Sequence, residues 1–166
     1  MKFTAIIFTL ILAFCLASCG TLTPASAAER FLDACADYDE ARMLEICPTM
    51  PLDGGDAPLF ARMHFTVGEP TMLADDAAEV FVTLTVPDVP KLYAAALGES
   101  VQTMLTGGGG SLSETVAALA AAEDAPMRIV SLKLPLEKAG IGWAVSDAAP
   151  LIEALWGAAA ALRRTA

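Results

Sequence analysis

Ala77-Ala78-Glu79-Val80-Phe81-Val82-Thr83-Leu84-Thr85-Val86 decides the fold class. Ala78, Val80, Val82, Leu84 and Val86 alternate with Glu79, Phe81, Thr83 and Thr85. Successive side chains of a strand point to opposite faces, so a period of two predicts a strand with one face in a core and the other toward water, the habit of antiparallel sheets. The turn-type run Ala74-Asp75-Asp76-Ala77 precedes it and predicts a hairpin with a strand over Leu59 to Leu73, bent at Gly68-Glu69-Pro70. Pro87-Asp88-Val89-Pro90 ends the alternation.

Downstream, residues 90–106 switch to a helical period, with Tyr93, Leu97, Val101, Met104 and Leu105 as the apolar stripe. Four glycines (107–110) connect it to a second short helix opened by Ser111-Leu112-Ser113-Glu114, a capping-box pattern. No lysine with a following Ser or Thr accompanies those glycines, so they are not a phosphate loop. The two helices predict an insertion over about 88–123. Pro126 to Leu136 reads as a third strand, with Val130, Leu132, Leu134 and Leu136 on one face. Glu137 to Gly140 is the next turn, and Ile141, Trp143 and Val145 are the expected apolar face of a fourth strand. Asp147 is placed to cap a last helix carrying Leu151, Ile152, Leu155, Trp156, Ala159 and Leu162 on one side, with Arg163 and Arg164 at its negative end.

Upstream, Ser26-Ala27-Ala28-Glu29 reads as a capping box opening a helix whose apolar face is Ala28, Phe31, Leu32 and Cys35. Asp37-Tyr38-Asp39 interrupts it, and a second helix carries Met43, Leu44 and Cys47 before Pro48 ends it. The class expected is α+β: a curved antiparallel sheet of about four strands packed on an N-terminal helix pair, an inserted helical hairpin and a C-terminal helix.

The first residues differ from all of this. Met1-Lys2 leads into the apolar run Ala5–Ala17, thirteen residues long, and small residues with a cysteine close it at Leu16-Ala17-Ser18-Cys19. A spanning helix needs about 20 apolar residues, whereas a charged start, a short apolar run and a small-residue site are the layout of a secretory signal. Leu16-Ala17-Ser18-Cys19 resembles the lipobox of bacterial lipoproteins. That resemblance implies cleavage before Cys19 and a thioether-linked diacylglycerol on it, with acyl chains such as palmitate in the bilayer. The expected organisation is a signal peptide over 1–18, a lipid-bearing tether over 19–25 and one domain over 26–166. The expected location is the extracytoplasmic side of a membrane. The residue after the cysteine is Gly20 and not an aspartate, so the resemblance allows an outer-membrane destination in a two-membrane cell, and in a one-membrane cell implies the outer face of the cytoplasmic membrane.

The whole chain carries 10 basic and 20 acidic residues. Loss of residues 1–18 removes Lys2 alone, leaving a formal net charge of −11. Such a surface excludes nucleic acid, whose phosphates need clustered Lys and Arg. It also excludes an electrostatic grip on anionic lipid, so attachment rests on acyl chains. Of the four cysteines, Cys15 falls in the signal and Cys19 is the lipid site. Cys35 and Cys47 would lie about 18 Å apart on one straight helix, beyond the roughly 7 Å a disulfide spans. Only a turn at Asp37–Asp39 brings them together, which leaves a disulfide and two buried thiols as alternatives. With a single histidine and no C-x-x-C, the chain has no zinc pattern, and no cofactor is expected.

The order of helix pair, bent hairpin, helical insertion, second hairpin and closing helix resembles bacterial lipoproteins of unknown function in the nuclear-transport-factor-two-like superfamily. The similar pieces are Ser26-Ala27-Ala28-Glu29-Arg30-Phe31-Leu32, Ala77 to Val86, and Gly142-Trp143-Ala144-Val145-Ser146-Asp147. The resemblance implies a sheet wrapped around helices into a cone with a pocket. In enzymes of that superfamily, polyketide cyclases and small isomerases among them, a pocket Asp, often with His or Tyr, moves a proton at carbon.

Here His64, Tyr93 and Trp143 are the candidate pocket-lining residues, with Trp156 a further aromatic. His64 lies between Met63 and Phe65 with no adjacent carboxylate, and a general acid or base needs a placed partner. No Gly-x-Ser-x-Gly elbow is present. The expectation is a membrane-tethered, non-enzymatic module binding a small apolar ligand or an envelope protein. The alternatives are a proton-transfer enzyme using His64 and a structural envelope protein. His64 inside an apolar pocket beside a carboxylate would favour the enzyme; His64 in solvent would remove its acid.

Overall fold

The structure is a computed structural model and describes residues 23–105 and 112–159. The signal segment, Cys19, the glycine run, Leu162, Arg163 and Arg164 lie outside the described residues. So do the side chains of Val101, Met104 and Leu105.

Helix α1 spans Pro24–Ala36. Its cap is Thr23, not Ser26: the Thr23 hydroxyl accepts from the Ser26 amide at 3.2 Å, and Pro24 takes the first helical position, where a missing N–H costs nothing. The helix therefore starts inside the stretch read as tether. Ala28, Phe31, Leu32 and Cys35 are buried as their spacing requires. At the break, Tyr38 adopts a left-handed φ of 51° and its hydroxyl donates to the Asp53 carbonyl at 2.8 Å. Asp39 caps α2 (Glu40–Ile46) by accepting from the Arg42 amide at 3.1 Å. Met43, Ile46 and Cys47 face inward, while Leu44 is exposed.

A 3₁₀ turn (Gly54–Asp56) and one turn of helix, α3 (Ala57–Phe60), follow. The strand expected from Leu59 begins only at His64: β1 is His64–Met72. Leu59 and Phe60 are buried as a helical pair, because a short apolar run serves a helix turn as well as a strand. β1 pairs antiparallel with β2 (Ala77–Pro87), and the register slips by one residue between Val67 and Pro70, a bulge at the expected bend. All five inward residues of β2 are buried.

The insertion comprises α4 (Val89–Leu105) and α5 (Leu112–Ala121). Among the described side chains of α4, Val89, Leu92 and Ala96 are buried, and Leu97, placed on the apolar stripe above, is exposed. β3 (Met127–Ala139) pairs with β2 along its length, and β4 (Gly142–Val145) pairs with the end of β3. The sheet order is β1-β2-β3-β4, all antiparallel. The turn between β3 and β4 is Gly140-Ile141, with Gly140 at φ +59°, the glycine-first geometry of a tight hairpin. Ile141 is therefore at a turn tip and 99% exposed, not on the apolar face of β4. Helix α6 (Ala149–Trp156) closes the fold, with Asp147 accepting from the Ala149 amide at 2.8 Å.

Helix α1 touches both outer strands, β1 and β4. Strands sit about 4.8 Å apart, so one helix can meet both edges only if the sheet curls around it. The α+β class and the four-stranded curved sheet are thus as the alternation predicted. The core fills the concave side, from Phe31 and Leu32 to Leu134, Leu136, Leu151 and Leu155.

Candidate functional site

A cleft of about 50 Å³ opens between the inserted hairpin, the 3₁₀ turn with α3, and α6. Tyr93 of α4 and Trp156 of α6 supply its aromatic walls, with ring centroids 6.2 Å apart and planes inclined at 50°. Val116 and Ala117 of α5 and Gly55, Pro58 and Leu59 complete it. Burial raises the Tyr93 phenol above its ordinary pKa, so it stays protonated at neutral pH.

Asp56, 1% exposed, sits behind the aromatic wall. Its Oδ1 accepts from Trp156 Nε1 at 2.8 Å, joining residues one hundred positions apart in the chain. A buried carboxylate costs several kcal/mol unless its oxygens are bonded, and an indole has only one donor to place. The bond therefore fixes the orientation of the ring that lines the cleft.

Two arginines fasten the surrounding helices. Arg62 donates from Nη1 to the carbonyls of Ala121, at 3.4 Å, and Ala122, and from Nη2 to Glu123 at 3.2 Å. Arg128 Nη2 donates to Ala154 at 2.7 Å and Leu155 at 3.3 Å. Each guanidinium thus meets the negative end of a helix, α5 or α6, whose last carbonyls lack helical partners. Among the described residues Arg128 Nε, which is buried, has no hydrogen-bond partner. Asp88 precedes α4, accepts from the Lys91 amide at 3.4 Å and meets Lys91 Nζ at 2.8 Å. Hydrogen bonding from Lys91 holds its carboxyl below the usual carboxylate range.

Of the residues expected at a pocket, Tyr93 lines the cleft. Trp143 does not: it is half-buried on β4, opposite Lys138, whereas Trp156, the other candidate aromatic, does line the cleft. His64 is exposed at the start of the edge strand β1, away from the cleft. Among the described residues nothing hydrogen-bonds its ring, and no cluster of three His, Cys, Asp or Glu is arranged to hold a metal. Asp56 is the site residue that the sequence hid, since it stands in a loop of prolines, glycines and aspartates whose ordinary place is solvent.

Cys35 and Cys47 are both buried free thiols. Burial pushes both thiols up; at Cys35 the charge of nearby Cys47 adds to the rise, and at Cys47 hydrogen bonding with Thr49 offsets part of it. The turn at Tyr38 has brought the cysteines into one neighbourhood without joining them.

Two further depressions flank Glu137 and Lys138 at the hairpin end of the sheet, of about 260 Å³ beside Asp76 and about 280 Å³ beside Thr49 and Ser146. Their linings contain no histidine or cysteine. Comparison with protein-family models, curated proteins and solved structures found no match.

Proposed function

We propose that the protein is a lipid-anchored, extracytoplasmic binding module without catalytic activity. Its anchor is Cys19, and its binding element is the Tyr93–Trp156 cleft. The observation that carries the non-enzymatic reading is the fate of the histidine and of the buried carboxylate nearest the cleft. His64 is in solvent, and Asp56 is tied to the Trp156 indole. A general acid or base must reach a substrate atom directly or through one water, and neither His64 nor Asp56 is among the residues that line the cleft.

The size of the cleft narrows what it takes. Pockets for whole small molecules occupy roughly 300–1,000 Å³. A space of about 50 Å³ with aromatic and aliphatic walls admits a branched or aromatic tip of a larger apolar ligand, or an anchoring side chain of an envelope protein. Among the described residues no helix is long and apolar enough to cross a membrane. Attachment through acyl chains on Cys19 is consistent with that.

Two measurements test the two halves. Cys19→Ser should leave an unlipidated precursor, and normal membrane fractionation of that variant would sink the anchor. Native mass spectrometry of the chain purified from its host should show a retained apolar molecule or a co-purifying envelope protein. Ala117→Phe, which fills the cleft, should release it. Retention undiminished by Ala117→Phe would remove the cleft from the function.

A further inference from the structure

We propose that the two hairpin tips at one end of the sheet, Met72-Leu73 and Ile141, are the surface that the domain rests on the bilayer. This inference rests on the lipid-anchor reading of Cys19.

The tips share an end because of the register. Met72 pairs with Ala78, Ala78 with Leu136 and Leu136 with Val145, so the β1–β2 and β3–β4 turns both lie beyond that row. The Lys138 amide donates to the Asp76 carbonyl at 2.8 Å, tying the second hairpin to the first turn. Met72 is 52% exposed, Leu73 60% and Ile141 99%. The other exposed large apolar residues are dispersed: Leu44 on α2, Leu97 on α4, Phe81 and Ile129 on the outer sheet face.

The fold does not explain these side chains. The glycine-first turn requires Gly140, while its second position accepts polar residues as readily as Ile141. Apolar side chains presented together to water mark a contact surface. Their projection from turn tips suits a soft apolar phase better than a flat, rigid partner.

The anchor brings that phase within reach. Helix α1 is capped by Thr23, four residues after Cys19. Four extended residues span at most about 14 Å. A domain of this length has a radius of gyration of roughly 14 Å, so the tether holds it against the headgroups rather than out in solution. Charge then sets the character of the contact. Asp75, Asp76 and Glu137 outnumber Lys138 at this end, so the tips enter by apolar burial and favour zwitterionic over anionic lipid.

The test uses the lipidated full chain in phosphatidylcholine vesicles that carry a nitroxide lipid quencher near the headgroups. An environment-sensitive fluorophore is placed on Leu73→Cys or Ile141→Cys, and on Asp124→Cys at the opposite end of the sheet; Cys35 and Cys47 are buried and stay unlabelled in the folded chain. The labels at 73 and 141 should be quenched, and the label at 124 should not. Replacing half the phosphatidylcholine by phosphatidylglycerol should weaken the quenching. Chains that float with the vesicles while 73 and 141 stay unquenched, or while 124 is quenched as strongly, overturn the tip contact and leave the anchor standing. Chains that fail to float, with an intact mass lacking the diacylglycerol, overturn the anchor and the tip contact together.

Discussion

Trp156 Nε1 donates to Asp56 Oδ1 at 2.8 Å within the core, binding the closing helix to the turn before the sheet begins. Trp156→Phe keeps an aromatic ring but removes the indole N–H together with part of the ring volume. It should destabilise the fold by about 1–3 kcal/mol, the cost of under-satisfying a buried polar group. Urea unfolding reads this as a lower midpoint at unchanged slope. A midpoint equal to the parent's would show that the bond adds nothing.

Gly157 follows α6 at φ +55°, and a Cβ there would lie 2.8–2.9 Å from the Arg128 Nη atoms. Gly157→Ala should therefore cost about 1–3 kcal/mol through backbone strain, with the clash added. In an Arg128→Ala background the clash is gone and the strain remains, so the penalty should shrink without vanishing. Thermal or urea unfolding of the four proteins in that cycle measures both parts.

The Asp88 carboxyl is held low by its hydrogen bond from Lys91. A carboxyl depressed on folding contributes stability above its unfolded pKa of about 3.9, and that contribution is lost as pH falls through the folded value. Asp88→Asn keeps a capping oxygen but cannot titrate. The difference in urea midpoint between pH 7 and pH 3 should be smaller in Asp88→Asn than in the parent.

The thiols of Cys35 and Cys47 are raised chiefly by burial. Both should resist a thiol reagent at pH 8 in the native state and react together in denaturant, since the thiolate is the nucleophile. A group raised on folding holds its contribution below the unfolded pKa, about 8.5 for cysteine, and loses it as pH climbs toward the folded value. Stability should accordingly decline on the alkaline side, and less so in Cys35→Ala/Cys47→Ala if that double variant folds. Rapid labelling of either thiol in the native protein would contradict this picture.

The sheet was legible because alternation over ten residues leaves a strand little choice of face, and Val80, Val82 and Leu84 are buried as that parity demands. Parity failed at Ile141, where a two-residue turn took a residue out of the strand count. It failed again at Leu59-Phe60, where four residues are too few to separate one helical turn from a strand start. Helical spacing placed Tyr93 correctly but put Leu97 on the wrong side, because alanine at 96 carries as much of the buried stripe as the larger residues do. Asp56 was illegible for a different reason. Whether a loop aspartate is buried depends on a donor one hundred residues away, and nothing local announces that pairing. The two arginine caps on α5 and α6 were hidden in the same way, being long-range contacts from single charged residues.

The bulge in β1 has a consequence beyond the bend it makes. β1 is an outer strand, paired on one side only, and the slip in that pairing, with Gly68 and Glu69 unpaired and Pro70 next to them, kinks the strand along its whole width. An uninterrupted outer strand is a template on which a second chain can lay its own backbone, and a kink, a charge and a proline each spoil that template. If chains are tethered to a shared membrane as proposed, encounters are frequent and diffusion away is slow, and this small irregularity would keep neighbours from knitting into continuous sheets.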